Sequence, residues 1–91
     1  MLPVIAIILA SLETEEEKQE FLQLYEQYRQ LMFNRAYAIL QNEHNAEDAV
    51  STAFLHIAEN FQKISAEPCH RQKGFVVTVV ENAAKSMYSK Y

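Results

Sequence analysis

The chain has 91 residues, the size of one small domain, which buries about 60% of its unfolded surface on folding. Hydrophobic residues make up 49% of the sequence and charged residues 22%, which is typical of a folded globule and excludes a disordered chain. One Gly and two Pro are too few for the turns of a sandwich or barrel. The composition therefore predicts a single all-α domain over residues 1–91.

Charge is distributed unevenly along the chain. Residues 1–62 contain three cationic and ten acidic residues, whereas residues 63–91 contain five cationic and two acidic ones, within a formal net charge of −4. The acidic part should repel nucleic acid, and the basic part can approach phosphates. We therefore expect a polar, acidic middle helix and a cationic last part on separate sides of one bundle.

The sequence contains few residues suited to metal binding, disulfide formation or catalysis. Cys69 is the only cysteine, which excludes an internal disulfide and favours a reducing, cytoplasmic setting. The three histidines match no zinc or catalytic-triad spacing. We interpret Glu47 and Asp48 as complements of a helix N-terminus, because neighbours in sequence do not share a helix face. We expect no catalysis, no metal and no cofactor; an enzyme built on Glu47, Asp48 and His44 is the least favoured alternative.

The first ten residues, Met1 to Ala10, are almost all apolar. They are fewer than the ~20 residues that span a bilayer, they lack a basic start, and acidic residues follow them. We interpret them as a short apolar element that packs on the domain or on a partner, with a signal peptide or a membrane-surface segment as the alternative.

A first helix is predicted from Thr14 to about Gln41. Thr14 and Glu17 have the spacing of a capping box. Apolar residues then recur at steps of three and four, which places them on one stripe: Phe21, Leu24, Tyr25, Tyr28, Leu31, Met32, Ala36, Ile39 and Leu40.

A second helix is predicted after a polar turn, Asn42 to Asn45, with Asn45 as its cap. Asp48 complements the positive end of this helix. The apolar stripe contains Ala46, Ala49, Val50, Ala53, Phe54, Ile57 and Phe61.

From Lys63 to Gly74 we expect a loop, because the periodicity stops and Pro68 interrupts a continuous helix. The run from Phe75 to Val80 fits either a buried strand or a third helix. We favour the helix, with Phe75 in the core and an inward face of Val76, Val79, Val80, Ala83 and Met87. The whole is a three-helix bundle with an additional short N-terminal apolar element.

Three segments stand in order along the chain: Phe21, Tyr25 and Tyr28; Ala46-Glu47-Asp48-Ala49-Val50 with Phe54; and Phe75 with Asn82. Their residue types and separations resemble region 2 of bacterial RNA polymerase sigma factors of the extracytoplasmic-function type. The resemblance covers nearly the whole chain. Since a complete sigma factor also has a helix-turn-helix domain, we expect the chain to be the N-terminal part of a longer protein.

The sequence departs from the family pattern at several positions. Ser51 and Thr52 stand where Gln and Glu are usual, which removes a charge and two long side chains. Glu81, Ser86 and Ser89 replace charged residues near the end of the pattern, and Glu81 should repel phosphates.

The resemblance implies that the second helix docks on the β′ subunit clamp helices of core RNA polymerase. The positions that inherit this role are Asp48, Ser51, Thr52 and Leu55. It also implies that the loop and last helix open the promoter minus-ten element and hold flipped-out bases of the nontemplate strand. The candidates for this DNA contact are Lys63, His70, Arg71, Lys73, Asn82, Lys85, Tyr88 and Lys90.

An alternative is a sigma-like interaction module with weakened DNA function. It would pair with itself through Val4–Leu9, or with a regulator, and an anti-sigma factor is a further candidate partner. A tight dimer that hides the Asp48 face would favour this alternative.

Overall fold

The three apolar stripes of the sequence form three α-helices that share one core. The structure is a computed structural model that describes residues 12, 14–61 and 69–89, without the side chains of residues 69 and 70. The helices are α1 (Glu15–Leu40), α2 (Glu43–Glu59) and α3 (Cys69–Tyr88). The predicted all-α bundle is confirmed, and the N-terminal element, including Val4–Leu9, lies outside the described residues.

The start of α1 is the predicted one. Thr14 has extended backbone, and its hydroxyl oxygen accepts a hydrogen bond of 3.0 Å from the Glu17 N–H. Three glutamates follow in the first turn, where they complement the positive end of the helix. The helix ends at Leu40, and its C-cap is Gln41, whose φ of 56° is left-handed and whose N–H donates to the Tyr37 carbonyl at 2.8 Å.

The start of α2 differs from the prediction, since Asn42 caps the helix and Asn45 does not. Asn42 is extended, and its side-chain oxygen accepts a hydrogen bond of 2.9 Å from the Asn45 N–H. Asn45 is thus the third helical residue, and the connection to α1 is only Gln41 and Asn42. Two asparagines three positions apart both suit a cap, so composition alone does not choose between them.

The start of α3 also differs from the prediction. The helix begins at Cys69, immediately after Pro68 in sequence, so residues 69–74 belong to a helix and the predicted loop up to Gly74 is wrong there. A proline ends a preceding helix but is well tolerated where the next one begins. Phe75 to Val80 lie within α3, which excludes the strand alternative.

The core is a continuous apolar cluster at the junction of the three helices. Phe21 makes edge-to-face contacts with Phe54 and Phe61 at ring-centroid distances of 5.9 and 5.8 Å, and Tyr25 lies 4.9 Å from Phe54. The largest side chains in full burial are Phe21, Met32, Phe54, Ile57, Val76 and Val80. Every predicted stripe residue of α2 and Phe61 is buried, and no polar side chain of the described residues is.

The predicted inward face of α3 is shifted by a small rotation. Val76 and Val80 are fully buried as predicted, whereas Val79, Ala83 and Met87 are only half-buried. Ala84 is fully buried and was not predicted. The stripe Val76, Val80, Ala84 therefore defines the buried face of α3.

No helix in the described part of the chain is both long and apolar enough to cross a membrane.

The cap assignment can be tested with the two asparagines as a matched pair. Asn42→Ala should lower the free energy of unfolding by about 1 kcal/mol, because the Asn45 N–H loses its acceptor. Asn45→Ala should change it by less than about 0.5 kcal/mol, since Asn45 is a half-buried position inside the helix, where alanine has the higher helix propensity. Urea titration of both variants measures the difference, and equal losses would contradict the assignment.

Candidate functional site

The four positions predicted to contact polymerase share one face of α2. Asp48, Ser51, Thr52 and Leu55 have the i, i+3, i+4, i+7 spacing of a single helix face. Asp48 has a side chain that is 55% exposed, Leu55 is 40% exposed, and Thr52 is exposed. Ser51 is half-buried, and its hydroxyl donates to the Glu47 carbonyl at 3.0 Å. This face is turned away from the core, so it is available to a partner.

Asp48 has a histidine as a local neighbour. The His44 Nε2 lies 3.5 Å from an Asp48 carboxylate oxygen, one helical turn earlier. Both side chains are mostly exposed, so the contact is worth little to stability. The carboxylate therefore remains available to an external cation.

The positions predicted to contact DNA divide into described and undescribed residues. Lys63, Lys90 and the side chain of His70 lie outside the described part of the structure. The other five are exposed on α3: Arg71, Lys73, Asn82, Lys85 and Tyr88.

Four of these five side chains occupy two neighbouring faces of α3. Since successive residues rotate by about 100° around a helix, Arg71, Asn82 and Lys85 fall on one outward stripe, and Tyr88, seven residues after Glu81, falls on the Glu81 side. Lys73 precedes Val76 and Val80 by three and seven residues, so it aligns with the buried stripe but is exposed near the start of the helix. Within residues 14–61 and 69–89, Lys73 and Lys85 have no carboxylate at ion-pair distance.

A groove of about 460 Å³ lies between α2 and α3. Thr52 from the predicted polymerase set and Asn82 from the predicted DNA set both line it. The two sets therefore meet at this groove through one residue each, whereas the other described members of both sets do not line it. The groove is lined by Thr52, His56, Asn60, Phe75, Val79, Asn82, Ala83, Ser86 and Met87.

The groove exposes an aromatic ring that the sequence assigned to the core. Phe75 is 40% exposed, so its prediction as a core residue is wrong. Its neighbour Val76 points into the core, which turns Phe75 about 100° away from the buried centre. The ring consequently forms one wall of the groove beside the amide of Asn82.

Several residues of the candidate site are not among those predicted from the sequence. His56 and Asn60 follow Thr52 at steps of four, which was a usable signal that they share its face. The contact of Arg35 with Glu81, at 4.0 Å, joins α1 to α3. Because the two residues are on different helices, their spacing in the sequence gives no such signal. No cluster of three or more metal-ligating side chains occurs within the described residues.

Comparison with known families identifies the architecture. The family model of sigma-70 region 2 matches residues 24–91, which include most of α1 and all of α2 and α3. The chain belongs to the sigma-70 region 2 family. A search of curated proteins and a search of solved structures found no significant match. Membership gives this region 2 domain a role in RNA polymerase binding and promoter melting, as a non-enzymatic transcription factor domain.

The position of Phe75 can be tested by adding a hydroxyl group. Phe75→Tyr should change the free energy of unfolding by less than about 0.5 kcal/mol, because the new hydroxyl can reach water in the groove. Phe54→Tyr should cost about 2 kcal/mol, because the same hydroxyl is then buried among apolar side chains. Urea titration compares the two variants; a large loss for Phe75→Tyr would place this ring in the core.

Proposed function

We propose that the outward face of α2 docks on the β′ clamp helices of core RNA polymerase, and that α3 and the groove take the nontemplate strand of the minus-ten element. The observation that carries this proposal is the groove itself. Thr52 and Asn82 line it from opposite helices, so polymerase bound to α2 lies next to a strand bound along α3. One docking event thus positions the nucleic-acid site.

The α2 face suits a basic helical partner. Asp48 supplies a negative charge and Leu55 an exposed apolar side chain, with polar Ser51 and Thr52 between them. An exposed apolar side chain together with polar and charged ones is a usual composition of a specific protein interface. Complementary charge raises the association rate and fixes the register of docking.

The groove suits an unstacked base. The Phe75 ring offers a flat apolar surface, and the amides of Asn60 and Asn82 offer both donors and acceptors. Single-stranded nucleic acid is held by stacking on aromatic rings and by hydrogen bonds to base edges. Lys85, three residues beyond Asn82 and without an ion-pair partner in the described part of the chain, can contact a phosphate of the same strand.

The domain by itself should bind nucleic acid feebly. Five cations in residues 63–91, if all contacted phosphates, would give a salt slope of about −3.5 on a single strand, so binding would weaken steeply towards physiological salt. Binding at a promoter consequently depends on polymerase to hold the domain in place. This role needs neither a cofactor nor a metal ion, and it places the domain with the transcription machinery in the cytoplasm.

The polymerase contact can be tested by reversing one charge. Asp48→Lys should weaken binding of the 91-residue chain to a β′ clamp fragment by about tenfold, because a cation then faces the basic partner. Glu20→Lys makes the same change of charge at an exposed position of α1 and should leave binding within about twofold. Biolayer interferometry measures both. Equal losses, or no binding of the unmodified chain at micromolar concentration, would contradict the proposal.

The nucleic-acid contact can be tested through its dependence on salt. Lys85→Gln should reduce the slope of log affinity against log salt by about 0.7 on a single-stranded oligonucleotide, which is the loss of one phosphate contact. Lys18→Gln removes a cation that is paired with Glu15 at 3.2 Å on α1, and it should leave the slope unchanged. Fluorescence anisotropy at low salt gives both slopes, and an unchanged slope for Lys85→Gln would count against the α3 surface.

A further inference from the structure

An ion pair joins α1 to α3 at the surface. The Arg35 Nη1 lies 4.0 Å from the Glu81 Oε2, and the two side chains are 52% and 32% exposed. The pairs Lys18–Glu15 and Arg29–Glu26 differ from it, because each joins neighbours within α1. Arg35 thus brings a cation of the acidic part of the chain to the basic helix.

The surroundings of this pair carry a positive charge. Lys85 follows Glu81 by four residues, which puts the two Cβ atoms about 6 Å apart on one face of α3. The residues one turn from Arg35 on α1 are all apolar: Leu31, Met32, Ala38 and Ile39. Two cations therefore surround one carboxylate, on a protein whose formal net charge is −4. We call the surface of Arg35, Glu81 and Lys85 the α1–α3 seam.

The contact with Glu81 leaves most of the Arg35 guanidinium free for a ligand. A separation of 4.0 Å is too long for a hydrogen bond, and a guanidinium has five N–H donors in a planar fork. An exposed pair of this kind contributes about 0–1 kcal/mol to stability, so the fold does not depend on it. A phosphate, which accepts two parallel N–H donors, can displace the carboxylate.

An exposed aromatic ring continues the seam. Tyr88 is 62% exposed, three residues beyond Lys85 and seven beyond Glu81. These spacings place its ring on the same side of α3 as the seam. Cations that track a backbone, next to aromatic side chains that stack on bases, are the recurring elements of single-strand binding.

We propose that Arg35 contacts a phosphate of the bound single strand, so that the strand path on α3 extends across the α1–α3 seam. This inference rests on the proposed nucleic-acid role of α3 and adds a residue from a different helix. Glu81 competes with the phosphate for Arg35. It holds the guanidinium beside Lys85 when no strand is bound, and it lowers the affinity of the seam.

The test measures salt-dependent binding of the 91-residue chain to a short fluorescein-labelled oligothymidylate. Arg35→Gln should weaken binding by roughly threefold to tenfold at about 20 mM NaCl and reduce the salt slope by about 0.7. Arg35→Lys keeps the charge and should retain most of the slope. Lys18→Gln, at the other end of α1, is the matched control and should bind like the unmodified chain.

Glu81→Gln provides an independent test, because the proposal predicts that this variant binds the oligothymidylate more tightly. Removing the competing carboxylate should tighten binding, and the gain should shrink when Arg35→Gln is also present. Urea midpoints of all variants should agree closely, since every changed side chain is at the surface.

The outcomes separate this inference from the proposed function. If Lys85→Gln weakens binding and Arg35→Gln does not, the strand follows α3 alone and the Arg35 contact is wrong. If neither substitution has an effect, the α3 surface itself does not bind single strands and the proposed function fails as well. If Glu81→Gln increases the affinity equally with and without Arg35→Gln, the proposed role of Arg35 is also wrong.

Discussion

The packing of Phe21 of α1 against Phe54 of α2, and against Phe61 just beyond α2, is the constraint on which the rest of the structure depends. These rings pack edge to face in the interior, and Val76 and Val80 of α3 are fully buried in the same core. In a domain of this size the core has few large residues, so each fixes the rotation of its helix. Once Phe54 and its stripe turn inward, the positions on the opposite side of α2 must face solvent. The exposed Asp48 face is thus a geometric consequence of the core, and its role depends on what binds there.

The sequence predicts the buried side of a helix where the apolar residues recur on one face only. The stripes of α1 and α2 alternate with polar residues, so spacing alone predicts their buried faces, although Leu31, Ile39 and Leu40 at the edge of the α1 stripe are only half-buried. The run from Phe75 to Val80 is nearly all apolar, and a run without polar residues does not show which side faces the core. Phe75 was therefore misplaced, although the burial of Val76 and Val80 was predicted. The shift of the cap from Asn45 to Asn42 has a similar cause, because the two residues are chemically identical.

The candidate site could be predicted only where its residues share a helix. The spacing of Asp48, Ser51, Thr52 and Leu55 is visible in sequence, and so is the cationic character of the last helix. The groove and the Arg35–Glu81 pair each join residues of two different helices, and a single sequence contains no information about such contacts. The charge pattern predicts separate sides for the two proposed functions. One residue of each predicted set, Thr52 and Asn82, nevertheless lines a common groove, and on this contact rests the proposal that docking on polymerase is coupled to the capture of a strand.

Hydrogen–deuterium exchange on the assembled complex tests this coupling most directly. On addition of core RNA polymerase, the account predicts slower exchange in the α2 segment that contains Asp48 and Leu55. On further addition of a single-stranded oligonucleotide, it predicts slower exchange in the α3 segment around Asn82 and Lys85, with no protection at the start of α1. Protection by polymerase that is confined to the first turns of α1, with α2 unchanged, would contradict the account.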